Sequence, residues 1–179
     1  MSHTPEFSRL IPIDTIGAGA ASHRVEADTE ECTALAARFE LESIEGLSAE
    51  AEIRRDGPTI YAKGFARAKV MQNCVVTGNL VANKVEAEFD LRFLPESAQP
   101  REEEIELSAD ECETMPYADG AIDLGEAAAQ TVALALDPFP RSENAGQALQ
   151  EAGVISEEEA GPFGALKGLR DALAGKDKS

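Results

Sequence analysis

From Leu47 onward, apolar and polar residues alternate with a period of two: Leu47, Ala49, Ala51 and Ile53 against Ser48, Glu50, Glu52 and Arg54. That period marks a strand with one buried side. "RDGP" (Arg55 to Pro58) makes a turn in which Gly57 supplies a permissive backbone. Beyond it Ile60, Ala62, Gly64, Ala66, Ala68 and Val70 alternate with Tyr61, Lys63, Phe65, Arg67 and Lys69. Centring the hairpin on Asp56-Gly57 predicts Ile53 opposite Ile60, Ala51 opposite Ala62, Leu47 opposite Ala66 and Glu50 opposite Lys63. A third strand runs from about Leu80 to Leu94. Val81, Val85, Ala87, Phe89, Leu91 and Phe93 face inward there, and Lys84, Glu86, Glu88, Asp90 and Arg92 face out. The three segments predict an antiparallel meander with one dry face and one wet face.

Helical patterns flank the meander. Residues 6–14 read as a first strand, ended by "IGAGAASH". A helix follows, capped by Asp28 or Thr29, with Glu30 and Glu31 in its first turn and Cys32, Leu35, Ala36 and Phe39 on one face. Near residue 123 a second helix starts. Asp123 is its cap, Glu126 completes a capping box, the body is apolar nearly all round, and Pro138 and Pro140 stop it. Residues 95–121 read as an acid-rich loop, with a short edge strand near Ile105 and Leu107. The expected fold is α+β: an antiparallel meander packed on a buried helix, with short N- and C-terminal helices. Residues 1–140 form the core domain, 141–160 a mobile acidic linker, and 161–179 an amphipathic helix on Phe163, Leu166, Leu169 and Leu173 with a tail.

Charge narrows the range of functions. Sixteen Lys and Arg against 34 Asp and Glu give a net charge of −18. Such a chain is soluble and, as a whole surface, repels polyanions. No apolar run approaches a membrane-spanning length, and "MSHTPEFSRL" lacks the pattern of a signal peptide. Three scattered cysteines argue against a disulfide framework and fit a reducing cytoplasm.

Cys74 lies three residues before Thr77 in "KVMQNCVVTGNLVANK". A zinc knuckle needs four soft or imidazole ligands, and Thr77 stands where a second cysteine would. Cys32 and Cys112 have no neighbours at ligand spacing, and neither His3 nor His23 belongs to a nucleophile pattern. Cys74 therefore reads as the tip of a hairpin. The wet face holds a sharper lead, because Tyr61, Lys63, Phe65, Arg67, Lys69 and Met71 point one way and Lys84 and Arg92 join them. Residues 53–84 contain six basic residues and one acid, a local +5 inside the −18 chain. Basic side chains between exposed rings are how a sheet stacks and holds single-stranded RNA. The bland alternative is a solvated face whose charges pair across strands. The cluster Glu102, Glu103, Glu104, Glu106, Asp110, Glu111 and Glu113 lacks calcium-loop spacing. It reads as a solvated acidic loop, or as a lure for a basic protein. No catalytic residues, metal site, cofactor fingerprint or small-molecule substrate can be singled out.

Five segments together carry a resemblance: "FSRLIPI" at 7–13, "GFARAKVMQNCVVTGNLV" at 64–81, "FDLRF" at 89–93, "YADGAIDLGEAAAQTVALALDPFPR" at 117–141 and "PFGALKGL" at 162–169. The chain resembles the YceD family, the large ribosomal RNA subunit accumulation proteins, in its alphaproteobacterial form. The most specific matches are Cys74 and Thr77 in the hairpin, Asp123, Gly125 and Glu126 opening the helix, and Asp137 and Pro138 after it. The resemblance implies a cytoplasmic, non-enzymatic protein needed for normal levels of large-subunit ribosomal RNA. In many relatives the hairpin reads C-x2-C and a cysteine-rich segment follows the long helix. Thr77 and "SENAGQALQEAG" depart from that, so any metal role in those relatives does not carry over.

Two classes of function follow. The first is a ribosome-biogenesis factor that binds ribosomal RNA on the basic-aromatic face or a basic ribosomal protein on its acidic loops; a purely protein-binding assembly partner is a variant of it. The second is a metal-dependent hydrolase or nuclease using Glu102 to Glu106.

Overall fold

The computed structural model describes residues 5–96 and 113–154. The expected edge strand near Ile105 and Leu107, the acidic cluster apart from Glu113, Cys112 and the C-terminal amphipathic helix lie outside the described residues.

A five-stranded sheet in the order β2-β3-β4-β5-β6 dominates the fold. Its elements are β2 (Ala21–Glu26), β3 (Ser43–Asp56), β4 (Thr59–Asn73), β5 (Leu80–Pro95) and β6 (Glu113–Tyr117). The meander β3-β4-β5 is antiparallel with the expected faces. Leu47, Ala49, Ala51 and Ile53 are buried, as are Ile60, Ala62, Ala66, Ala68 and Val70. The hairpin register corrects the expectation by two residues. Ile53 faces Ala62, Ala51 faces Gly64 and Glu52 faces Lys63, because the loop is Gly57-Pro58 rather than Asp56-Gly57. Gly57 has φ +59, and proline at the next position holds φ near about −65°, the combination that suits a two-residue type II′ hairpin loop. A shift of two preserves the faces, so the dry side survived the error.

Three strands were not expected: β2, β6 and the short β7 (Ala121–Asp123). β2 runs antiparallel to β3, where a glycine-bearing linker was read. Inside residues 95–121, read as a loop, β6 adds to β5 in parallel, so the sheet is not a pure meander. β6 carries Pro116 on the sheet edge, where a missing donor is tolerated. The expected first strand shrinks to β1 (Leu10–Pro12), followed by a 3-10 turn at Ile13–Thr15. β1 leaves the main sheet and pairs with β7 (Ala121–Asp123).

Helix α1 (Thr29–Arg38) is capped by Asp28, with Glu31 returning a capping-box bond to the Asp28 N–H. Helix α2 (Leu124–Leu134) packs on the dry face of β3, β4 and β5. Leu124, Ala128, Ala129 and Val132 are fully buried with Ile53, Ile60 and Phe93 in one core. It ends four residues before Pro138, whose ring would meet the carbonyl of Leu134 if the helix continued. A third helix, α3 (Ala145–Glu151), occupies part of the segment read as a linker, and Ala145 is buried.

Candidate functional site

The family-like motifs resolve into two structural fastenings. At the first, Asp123 does more than cap α2. Its Oδ1 accepts from Gly125 N and Glu126 N at 3.0 and 3.2 Å, and also from Arg9 N at 2.8 Å. Its Oδ2 accepts from the Ser8 hydroxyl at 2.6 Å. The expected capping box does not form, because the Glu126 carboxylate is taken up by Arg38 of α1 at 2.8 and 2.9 Å. Arg38 also reaches Glu6 at 3.0 Å, and these carboxylates hold its guanidinium protonated more firmly than usual. Gly125 lies so close to the N-terminal segment before β1 that a Cβ there would sit 2.7 Å from Phe7 O and 2.9 Å from Arg9 N.

The second fastening joins the β4–β5 hairpin to the chain after α2. Cys74 is 3% exposed, so it is a buried clip rather than a bare hairpin tip. Its Sγ accepts from Thr77 N at 3.4 Å and from both Ser142 N and Ser142 Oγ at 3.3 Å. Thr77 Oγ1 lies 3.0 Å from Ser142 Oγ. Buried Gln72 donates to Asp137 O at 2.9 Å and accepts from Asn83 at 2.7 Å. Asp137 Oδ1 accepts from Phe139 N, which fixes the turn that holds Pro138. Burial pushes the Cys74 thiol up, but the donors from Ser142 and Thr77 outweigh it and bring it to about 6. The neighbours of the sulfur are neutral hydroxyls and N–H groups, a donor set that does not suit zinc. Among the described residues no cluster of His, Cys, Asp and Glu is arranged to hold a metal.

The wet face of the sheet is the candidate site, and the residues expected there do share it. β3, β4 and β5 set them in rows. At one end Arg54, Tyr61 and Arg92 stand side by side; next come Glu52, Lys63 and Asp90, then Glu50, Phe65 and Glu88, then Ser48, Arg67 and Glu86, and last Gly46, Lys69 and Lys84. Met71 follows, opposite Ala82. Helices α1 and α2 pack against the opposite, dry face.

The local +5 does not survive assembly. It counted residues 53–84 and left out the carboxylates that β5 and β3 bring beside them. Lys63 pairs with Asp90 at 3.3 Å and Arg67 with Glu86 at 3.1 Å, and the guanidinium holds the Glu86 carboxyl below its ordinary range. Arg24 of β2 approaches Glu50 at 3.4 Å. The middle of the face is thus a lattice of alternating sign, and among the described residues the positive charge without ion-pair partners collects at its ends. Both rings are capped: the Arg54 guanidinium lies 4.2 Å over Tyr61 and that of Arg67 lies 4.0 Å over Phe65. Such a stack offers a flat cationic surface. Sequence reasoning did not single out Arg54, and it set Glu50 opposite Lys63 where the assembled register places Glu52, since cross-strand neighbours depend on the register.

Among the described residues the α+β sheet has one face packed by helices and one charged face with no helix on it. The model of the family described as "Large ribosomal RNA subunit accumulation protein YceD" matches residues 62–170, more than half of the chain. The chain belongs to the YceD family. That description names a role in accumulation of large-subunit ribosomal RNA, not a reaction. Comparison with curated proteins and with solved structures finds no match. No described helix is long and apolar enough to cross a membrane.

Proposed function

We propose that this chain is a non-enzymatic, cytoplasmic ribosome-biogenesis factor that supports accumulation of large-subunit ribosomal RNA by holding RNA on the outer face of its sheet. One observation carries the reading. Among the described residues, the face without helices presents two arginine-capped rings, Tyr61 and Phe65, and cations at its ends that have no carboxylate partner. Bases stack on arginine planes as well as on rings, and phosphates take the end cations. The family's most specific motifs have structural partners that support this reading: Asp123 and Gly125 hold the N-terminal segment, Glu126 holds Arg38 of α1, and Cys74, Thr77, Asp137 and Pro138 fasten the hairpin.

The net charge of −18 favours a second reading, in which the partner is a basic ribosomal protein attracted by the acidic segments. A filter-binding titration against fragments of large-subunit ribosomal RNA separates the two. RNA affinity falls as salt rises, and Arg67→Glu with Lys69→Glu abolishes it. Binding left intact by that double change removes the sheet face as the RNA site.

A further inference from the structure

Lys69 and Lys84 are direct cross-strand partners on β4 and β5. That places their Cβ atoms about 4.5–5.5 Å apart, where like charges destabilise a strand pair. Elsewhere along the same ladder each β4 cation of the central rows is matched: Lys63 meets Asp90 and Arg67 meets Glu86. Neither Lys69 nor Lys84 makes an ion pair among the described residues, and the nearest β5 carboxylate, Glu86, is already engaged by Arg67.

The third strand leaves the pair open. Register slips at Glu45, and the residue opposite Lys69 is Gly46, at which an added Cβ would meet nothing within 4 Å. A bulge next to a missing side chain opens a cleft of about 400 Å3, bordered by Gly46, Ser48, Arg67, Lys69 and Lys84. Glu26, Glu45 and Glu86 lie on the same rim. An anion seated between the lysines cancels their repulsion, and the acidic rim favours a singly charged phosphodiester over a multiply charged free phosphate.

We propose that this cleft seats one backbone phosphate of single-stranded RNA, held by Lys69 and Lys84 with Arg67 beside them. The proposal rests on the RNA reading of the sheet face and assigns its phosphate to one end, away from the Arg54–Tyr61–Arg92 row.

The test is fluorescence anisotropy with a labelled oligouridylate over a salt series, using the full chain and two variants: Lys69→Gln with Lys84→Gln, and Arg54→Gln with Arg92→Gln. Losing one single-strand phosphate lowers the slope of log affinity against log salt by about 0.7 in the lysine variant. Its low-salt affinity falls by about tenfold, as for one charge-assisted contact. Its melting temperature stays level or rises, since the repulsion is gone. If the wild type binds and the lysine variant keeps both slope and affinity, the seat is wrong while the face reading stands. A lower melting temperature for the lysine variant means that the lysines already have partners, which also overturns the seat. If the wild type does not bind the probe, both readings fall.

Discussion

Replacing Gly125 with alanine sets two effects against each other. Helix propensity alone says the change stabilises, since alanine exceeds glycine by about 1 kcal/mol in a helix interior. The structure says otherwise. The new Cβ would stand 2.7 Å from Phe7 O and 2.9 Å from Arg9 N, both backbone atoms. Ordinary contact therefore requires the N-terminal segment before β1 to back away by several tenths of an ångström. Phe7 is fully buried, and the same segment holds Asp123 through Arg9 N and Ser8, so it has little room to move. Overpacking of this kind costs about 1–3 kcal/mol. After the propensity gain, the net loss centres on about 1 kcal/mol and reaches at most about 2, so the melting temperature falls by about 2–4 °C at the central value for a chain of this size. Gly146→Ala is the control, because its Cβ would meet nothing within 4 Å; that variant should melt at or above the wild-type temperature. Both are read by circular dichroism. A Gly125→Ala protein that melts no lower than wild type refutes the close-approach account of this motif.

Gly64→Ala should be worse, since its Cβ would fall 2.0 Å from Glu50 O and 2.7 Å from Ala51 Cα within the central hairpin; the expected outcome is loss of cooperative unfolding, and a normal urea transition would contradict it. Asp123→Ala removes a cap worth about 1 kcal/mol and strands the Arg9 N–H, a charge-assisted bond of about 1.5–3 kcal/mol. The urea midpoint should accordingly drop by more than an ordinary cap deletion produces. The Cys74 thiol lies at about 6 in the fold against about 8.5 unfolded. A depressed acid contributes stability that is complete above the unfolded value and disappears as pH falls through the folded one. Between those limits wild type should gain stability with rising pH relative to Cys74→Ala, and a constant difference in urea midpoint across that range would discount the hydrogen-bonded thiolate.

What the chain revealed in advance depended on how locally each feature is encoded. The period-two runs of β3, β4 and β5 and the cap at Asp28 are local signals, and they appear where expected. β2 was illegible because "ASHRVE" lies on an edge with only Val25 buried, so there is little apolar alternation to detect. β6 is short, contains Pro116 and is defined by a parallel partner remote in sequence. Alternation alone placed the residues of the candidate face together on one side of the sheet, but not which of their charges pair across strands. Whether Lys63 is matched or Lys69 unmatched depends on which β5 residue stands opposite, and that is a property of the assembled sheet. The clasp of Cys74 by Ser142 likewise joins residues 68 apart in sequence, and no spacing rule pointed to it.

The combined picture is a sheet whose dry side and two fastenings serve stability, leaving the wet side for a partner. The measurement that bears on it most directly is recovery of the tagged full chain from cells, with and without nuclease treatment, beside the Arg67→Glu, Lys69→Glu variant. The account predicts that large-subunit ribosomal RNA accompanies the wild type, that nuclease releases the ribosomal proteins recovered with it, and that the variant brings down neither. Equal recovery of ribosomal proteins by both chains after nuclease would show that the partner is protein and that the outer sheet face does not hold RNA.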